Sequence, residues 1–237
     1  MYHSITFGDK NTWDDWHLIP SSRPVFNPPA PKTKFIDIPG ADWHLDLSSS
    51  LTGDIAYNGR TGTMEFIVDN GHAEWHHLYS TIMEYLHGQE LRAVLEDDPT
   101  HYYEGRFWVD SWKSLPQNSR IVIEYNVAPY RYEITTSLED WYWDDFNFET
   151  GVVREYADIR VDGSRVFTIP GDRLWVTPSF IVNSDNGKGM MVSHDGVTYH
   201  LPDGKSRVVA IRLGSGINTL IFNGLGTISV EYRGGTL

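Results

Sequence analysis

The chain has no cysteine among its 237 residues, which excludes disulfide bridges and thiolate metal sites. It also has no apolar run long enough to cross a bilayer as a helix. Its first residues, Met1-Tyr-His-Ser-Ile, lack the basic stretch and apolar core of a secretory signal. Assembly in the cytoplasm, with no membrane insertion, is expected. Basic residues are scarce too: 19 Lys and Arg stand against 32 Asp and Glu, a formal charge of −13. The deficit is uneven, with 10 basic against 19 acidic residues through Thr135 and 9 against 13 from Thr136 onward. A basic stripe is the footprint of a nucleic-acid binder, and none is present. The acidic balance also serves ordinary solubility. Phosphate loops, dinucleotide fingerprints and Gly-x-Ser-x-Gly elbows are missing as well. What is present, 40% hydrophobic and 14% aromatic residues, is the composition of a folded protein.

Helical periodicity is nearly absent. Only residues 75–87 carry it, with Leu78, Ile82 and Leu86 beside Tyr79, Met83 and Tyr85 on a broad apolar face and Gly88 as the stop. Alternation dominates instead. Residues 64–68 put Met64, Phe66 and Val68 on one face, and 120–127 do the same with Ile121, Ile123, Tyr125 and Val127, so both predict half-buried strands. Strands on either side of one helix predict an α+β first half, a sheet or sandwich with the helix packed on it. From Glu139 no helical period is left. Asp162-Gly163, Asn186-Gly187, Asp195-Gly196, Asp203-Gly204 and Asn223-Gly224 suit tight hairpin turns, with the clearest strands expected at 208–213, 218–222 and 227–233. Short strands at regular spacing predict a β-sandwich there. The fold class is therefore mainly β, with a boundary near residues 131 to 138 dividing the chain into 1–135 and 136–237.

Six of the twelve prolines fall between Pro20 and Pro39, so no helix runs through that stretch and a central strand is disfavoured. Yet Trp13, Trp16, Leu18, Ile19, Phe26, Phe35, Ile36, Ile38 and Trp43 give it more apolar surface than a solvated linker carries. Such a segment packs along its own sheet or along a neighbouring subunit.

Candidate chemistry is thin. His72, His76 and His77 carry Glu74 at the wrong place for a zinc-protease helix and have no evident third ligand, so no metal or cofactor is expected. Asp14-Asp15, Asp97-Asp98 and Asp144-Asp145 are adjacent acids, whereas a glycosidase needs two carboxylates facing each other across a sugar. Asp97-Asp98-Pro99 reads as a turn whose aspartates bond local backbone amides. Ser193-His194-Asp195 cannot converge on one reacting atom, and no catalytic residue is assigned. Between Leu138 and Glu149 lie five acids, no base and five aromatics. Trp141, Tyr142 and Trp143 there either seal a domain junction or stack on sugar.

The order of several motifs resembles the distal tail protein family of siphophages and prophages of Gram-positive bacteria. They are Asn11-Thr-Trp13-Asp-Asp-Trp16, Arg23-Pro24, Lys32-Thr-Lys-Phe35-Ile-Asp37, Gly40-Ala-Asp42, Leu45-Asp-Leu47, Leu51-Thr-Gly53, Tyr57-Asn-Gly-Arg60, Leu86-His-Gly88, Asp97-Asp-Pro99 and Tyr102-Tyr-Glu-Gly-Arg106. The likeness covers about the first 130 residues well. It is weaker afterwards, where it rests on the β-only pattern and Tyr232-Arg-Gly-Gly235. Trp43 departs from it, standing where a small turn residue, usually glycine, is expected. The resemblance implies a non-enzymatic virion protein of the tail tip: a homohexameric ring joining the tail tube to the baseplate or tail-associated fibre or lysin protein, with the second domain a galectin-like or carbohydrate-module-like sandwich. That sandwich would be available to receptor-binding proteins or host glycans, and double-stranded DNA would pass through the ring without specific binding. It makes Trp13, Trp16, Arg23, Lys32, Phe35, Asp37, Asp42 and Trp43 candidate subunit-contact residues. The alternatives are a non-catalytic carbohydrate-binding protein and, more distantly, a two-carboxylate glycoside hydrolase.

Overall fold

The computed structural model describes residues 2–50, 53–68, 75–114, 119–139 and 156–237. It divides the chain into two compact units, Met1–Arg131 with Leu237, and Tyr132–Thr236. Both are built from strands, and one α-helix is present among the described residues.

In the first unit the strands are β1 (Ile5–Phe7), β2 (Lys10–Asn11), β3 (Leu18–Pro20), β4 (Phe35–Ile36), β5 (Leu45–Asp46), β6 (Arg60–Val68), β7 (Gln89–Leu95), β8 (Asp98–Lys113) and β9 (Ser119–Val127), with α1 (Trp75–Leu86) between β6 and β7. An antiparallel sheet runs in the order β2-β1-β7-β8-β9-β6-β3, while β4 and β5 pair only with each other. The alternation in the sequence sets the inner face. Met64, Phe66 and Val68 of β6 and Ile121, Ile123, Tyr125 and Val127 of β9 are buried, and Leu78, Ile82 and Leu86 of α1 join the same core. This is the α+β arrangement expected of a helix with one apolar stripe laid on a sheet.

The chain enters the second unit within β10 (Arg131–Glu133) and continues through β11 (Ile159–Gly171), β12 (Ser179–Ser184), β13 (Met190–His194), β14 (Val197–Leu201), β15 (Gly204–Arg207), β16 (Gly216–Glu231) and β17 (Gly235–Thr236). Its sheet has the order β14-β13-β16-β12-β15, with β11 paired along β16. The long strand β16 is shared: residues 221–223 pair with β13 and residues 226–231 with β12. The sheet thereby encloses a core that includes Phe180, Phe222, Ile228 and Val230.

Three sequence expectations fail here for local reasons. Asp162-Gly163 and Asn223-Gly224 are not hairpin turns; Gly163 and Gly224 face each other inside the β11–β16 ladder. A β-carbon on Gly224 would stand 2.8 Å from Met190 Cγ, so glycine lets the strand pass there. The strands expected at 218–222 and 227–233 are consequently parts of one strand. The strand expected at 208–213 is also absent: a turn closed by Ile211 N–H on Val208 O precedes a single bridge between Leu213 and Val176. Its apolar run feeds Ile211 and Leu213 into the core without a ladder. Asp195-Gly196 does turn the β13–β14 hairpin, both residues holding positive φ, the pattern of a two-residue turn.

Candidate functional site

The proline- and tryptophan-rich segment splits into two parts with different fates. Up to Asn27 it covers its own sheet. Trp16 lies against Phe7 and Tyr85 and is 2% exposed, so it is a core residue of its own unit and not contact surface. Trp13 stacks on Tyr2 at 3.8 Å between ring centroids. Phe26 enters the core, stacked on Tyr103 at 4.0 Å and edge-on to Tyr125 at 4.8 Å.

Residues 28–50 and 53–58 form a two-stranded arm. Its root is fixed by polar groups. Asn27 N–H donates to Tyr125 Oη at 2.9 Å, and Asn27 Nδ2 to Thr61 O at 2.9 Å. Arg60, 5% exposed, donates from Nε to Pro129 O at 2.8 Å and from Nη1 to Asn27 O at 3.2 Å, with its guanidinium over the Tyr103 ring. Burial pulls this guanidinium's pKa below its ordinary value. Beyond the root, Asn58 N–H bonds Ala30 O, Lys32 N–H bonds Ala56 O, and Phe35 and Ile36 pair with Asp46 and Leu45. Pro39 and Gly40 make the tip, closed by Ala41 N–H on Ile38 O, with Gly40 at φ +85° as a type II turn requires at its third position. Trp43 lies beyond that turn, stacked on His44, so the turn does not need a glycine there.

The arm is apolar and uncovered. Phe35, Ile36, Ile38, Trp43 and Leu45 are all exposed, Trp43 to 75%. Lys32, Asp37 and Asp42 are exposed beside them. Apolar area costs about 25 cal/mol per Å² when left in water, so a hairpin carrying five such side chains leaves that burial energy unused within the single chain.

Arg23 sits elsewhere, in an ion-pair cluster at the β7–β8 turn. The expectation that Asp97 and Asp98 bond local amides is not met. Asp98 already belongs to β8, and both carboxylates reach other segments. Asp97 lies 2.9 Å from His3 Nδ1 and 2.7 Å from Arg23 Nε. Asp98 accepts from Arg131 Nη1 at 2.7 Å and lies 3.0 Å from His101 Nδ1. Their neighbour Glu96 takes the Ser4 amide at 2.8 Å. Hydrogen bonds from His3 and then Arg23 hold Asp97 below its usual range. Burial pushes Asp98 up, but the His101 bond and the charges of His101 and Arg131 outweigh it, so its pKa is lowered as well.

Other candidates are not brought together. Ser193 bonds Thr198 Oγ1 while His194 turns to Thr219 O, so the two do not form a relay. His76 and His77 are exposed on α1, and no cluster of three metal-ligating side chains occurs among the described residues. His72, Trp141, Tyr142, Trp143 and Asp144-Asp145 lie outside the described residues. Phe26 and Arg60, which fix the arm, are not among the site residues expected from the sequence, where Phe26 counts only as one of nine apolar side chains. Arg60 was visible only within Tyr57-Asn-Gly-Arg60, a motif that carries no charge partner to explain it.

No family model matches the chain, and no curated protein matches it in sequence. In three dimensions the likeness runs end to end. The crystal structure of SPP1 Dit (gp 19.1), described as a paradigm of the hub adsorption apparatus in phages infecting Gram-positive bacteria, matches with a TM-score of 0.64 at 11% identity, covering 100% of both chains. The chain therefore has the fold of that distal tail protein.

Proposed function

We propose that the chain is a structural hub of a phage tail tip. Support comes first from the full-length fold match, and then from the motifs that resemble the same family in the half that carries the arm. In this reading six copies close a ring by heterologous contacts, the arm of one subunit lying on the next, with Phe35, Ile38 and Trp43 as its apolar anchors. The first unit builds the ring. The second serves as a galectin-like module for receptor-binding proteins. The ring joins the tail tube to the tail-associated fibre or lysin protein, performs no catalysis, and lets double-stranded DNA pass without holding it, because cationic contacts with phosphate are what retain a polyanion.

Negative-stain electron microscopy of the purified chain should show six-fold rings with a central hole. Replacing Phe35, Ile38 and Trp43 together with Ser should return the protein to monomers at unchanged helix and strand content, because those side chains are exposed. Rings that survive the triple replacement would remove the arm from the interface, and monomeric wild-type protein would remove the ring. An apolar contact between acidic subunits strengthens as repulsion is screened. Rings should therefore persist at about 1 M salt, where charge interactions reach only ~3 Å.

A further inference from the structure

We propose that the outer face of the β11–β16–β13–β14 sheet is a contact surface for a second copy of this chain. Strand register defines the face. Val166 lies opposite Ile221, Thr168 opposite Thr219, and Pro170 opposite Ile217. Ser193, opposite both Ile221 and Thr198, and Met191, opposite His200, extend it across β13 and β14. Directly opposed residues of an antiparallel pair share a face, so these ten side chains form one surface. The intervening residues Phe167, Leu220, Phe222 and Val192 turn into the core. The outer surface is open: Ile217 is 78% exposed and Val166 60%.

None of the ten is Asp, Glu, Lys or Arg, in a chain that is 22% charged. That composition decides the chemistry. There is no Lys or Arg to hold a phosphate or other anion, no carboxylate to draw a basic partner, and no Trp, Tyr or Phe to stack on sugar; the one ring, the His200 imidazole, is held by a hydrogen bond from Nε2 to Lys188 O at 2.9 Å. Apolar and hydroxyl side chains on a regular sheet face fit a protein surface of the same kind. A second copy fits best. Copies of net charge −13 repel one another, and a twofold contact sets one patch against itself. Only a patch without charge meets its own copy without burying like charges, whereas a partner of opposite sign would be drawn to the acids elsewhere. The patch measures roughly 20 by 15 Å from strand rise and spacing. That is well below the ~800 Å² per partner of a stable interface, so pairwise association is weak and shows at high concentration.

Sedimentation velocity of the full chain over a series rising to about 1 mM tests this. The base species should give way to one of twice its mass. Ile217→Glu and Val166→Glu should each abolish the doubling while leaving the base mass and the melting temperature unchanged, and Ile217→Val should keep it. A wild type that holds its base mass across the series, open-ended growth in place of doubling, or doubling that survives Ile217→Glu would overturn the proposal. The base mass itself, one copy or six, reports on the ring independently.

Discussion

Phe26→Ala should destabilise the first unit by roughly 3 to 5 kcal/mol, the range for removing a fully enclosed aromatic ring. The ring is 3% exposed and touches three aromatic neighbours, Tyr103, Tyr125 and Phe107. All three lie on strands in the middle of the sheet, Tyr103 and Phe107 on β8 and Tyr125 on β9. Such neighbours cannot collapse into the space without breaking the ladder, so the cavity term persists. Loss of the ring also removes the wedge beside Asn27, whose amide and side chain tie the arm to Tyr125 and Thr61. Phe35→Ala is the control. It deletes the same side chain from a position exposed in the single subunit and, compared at a concentration where the chain is monomeric, should stay within about 0.5 kcal/mol. Urea unfolding followed by tryptophan fluorescence measures both. Equal losses for the two variants would mean that residues 21–27 are not the anchor of the arm.

The difference between Phe26 and Phe35 marks where the sequence could be read and where it could not. Strand alternation at 64–68 and 120–127 and the stripe of α1 are local patterns, and a periodic apolar face can be satisfied only by a core. They recur in the structure at β6, β9 and α1. The Pro-rich segment has no period. Its nine apolar residues look alike in print, and whether a ring enters the core or projects depends on contacts with residues far along the chain, such as Tyr103 and Tyr125 for Phe26. Turn dipeptides were misleading for a related reason: Asp-Gly and Asn-Gly permit a reversal without compelling one. At Gly163 and Gly224 the pairing of two long strands overrides them. The arm's position was legible from proline density, but its exposure required the fold.

Acid should loosen the first unit at the β7–β8 turn, and the direction follows from the carboxylates there. Glu96, Asp97 and Asp98 all have pKa values below their ordinary ones in the folded chain. For Asp97 the cause is the His3 and Arg23 bonds; for Asp98 it is His101 and Arg131 prevailing over burial. A group depressed by folding contributes stability that is complete above its unfolded value. The contribution falls as pH drops below that value, 3.8 for an aspartate, and is gone below the folded one. These contacts tie the N-terminal strand, the strap before the arm and β10 to one turn, so their loss acts on three segments together. A variant carrying Asp97→Asn and Asp98→Asn keeps the shapes and removes the charges. Its melting temperature should lie below that of the wild type at neutral pH, and the gap should close as pH falls from about 3.8 through the lowered folded values, as the wild-type carboxylates protonate. Calorimetry across that range decides the point: melting curves that stay equally far apart at every pH would mean that the charges at this turn contribute nothing and that any loss comes from the altered hydrogen bonds alone.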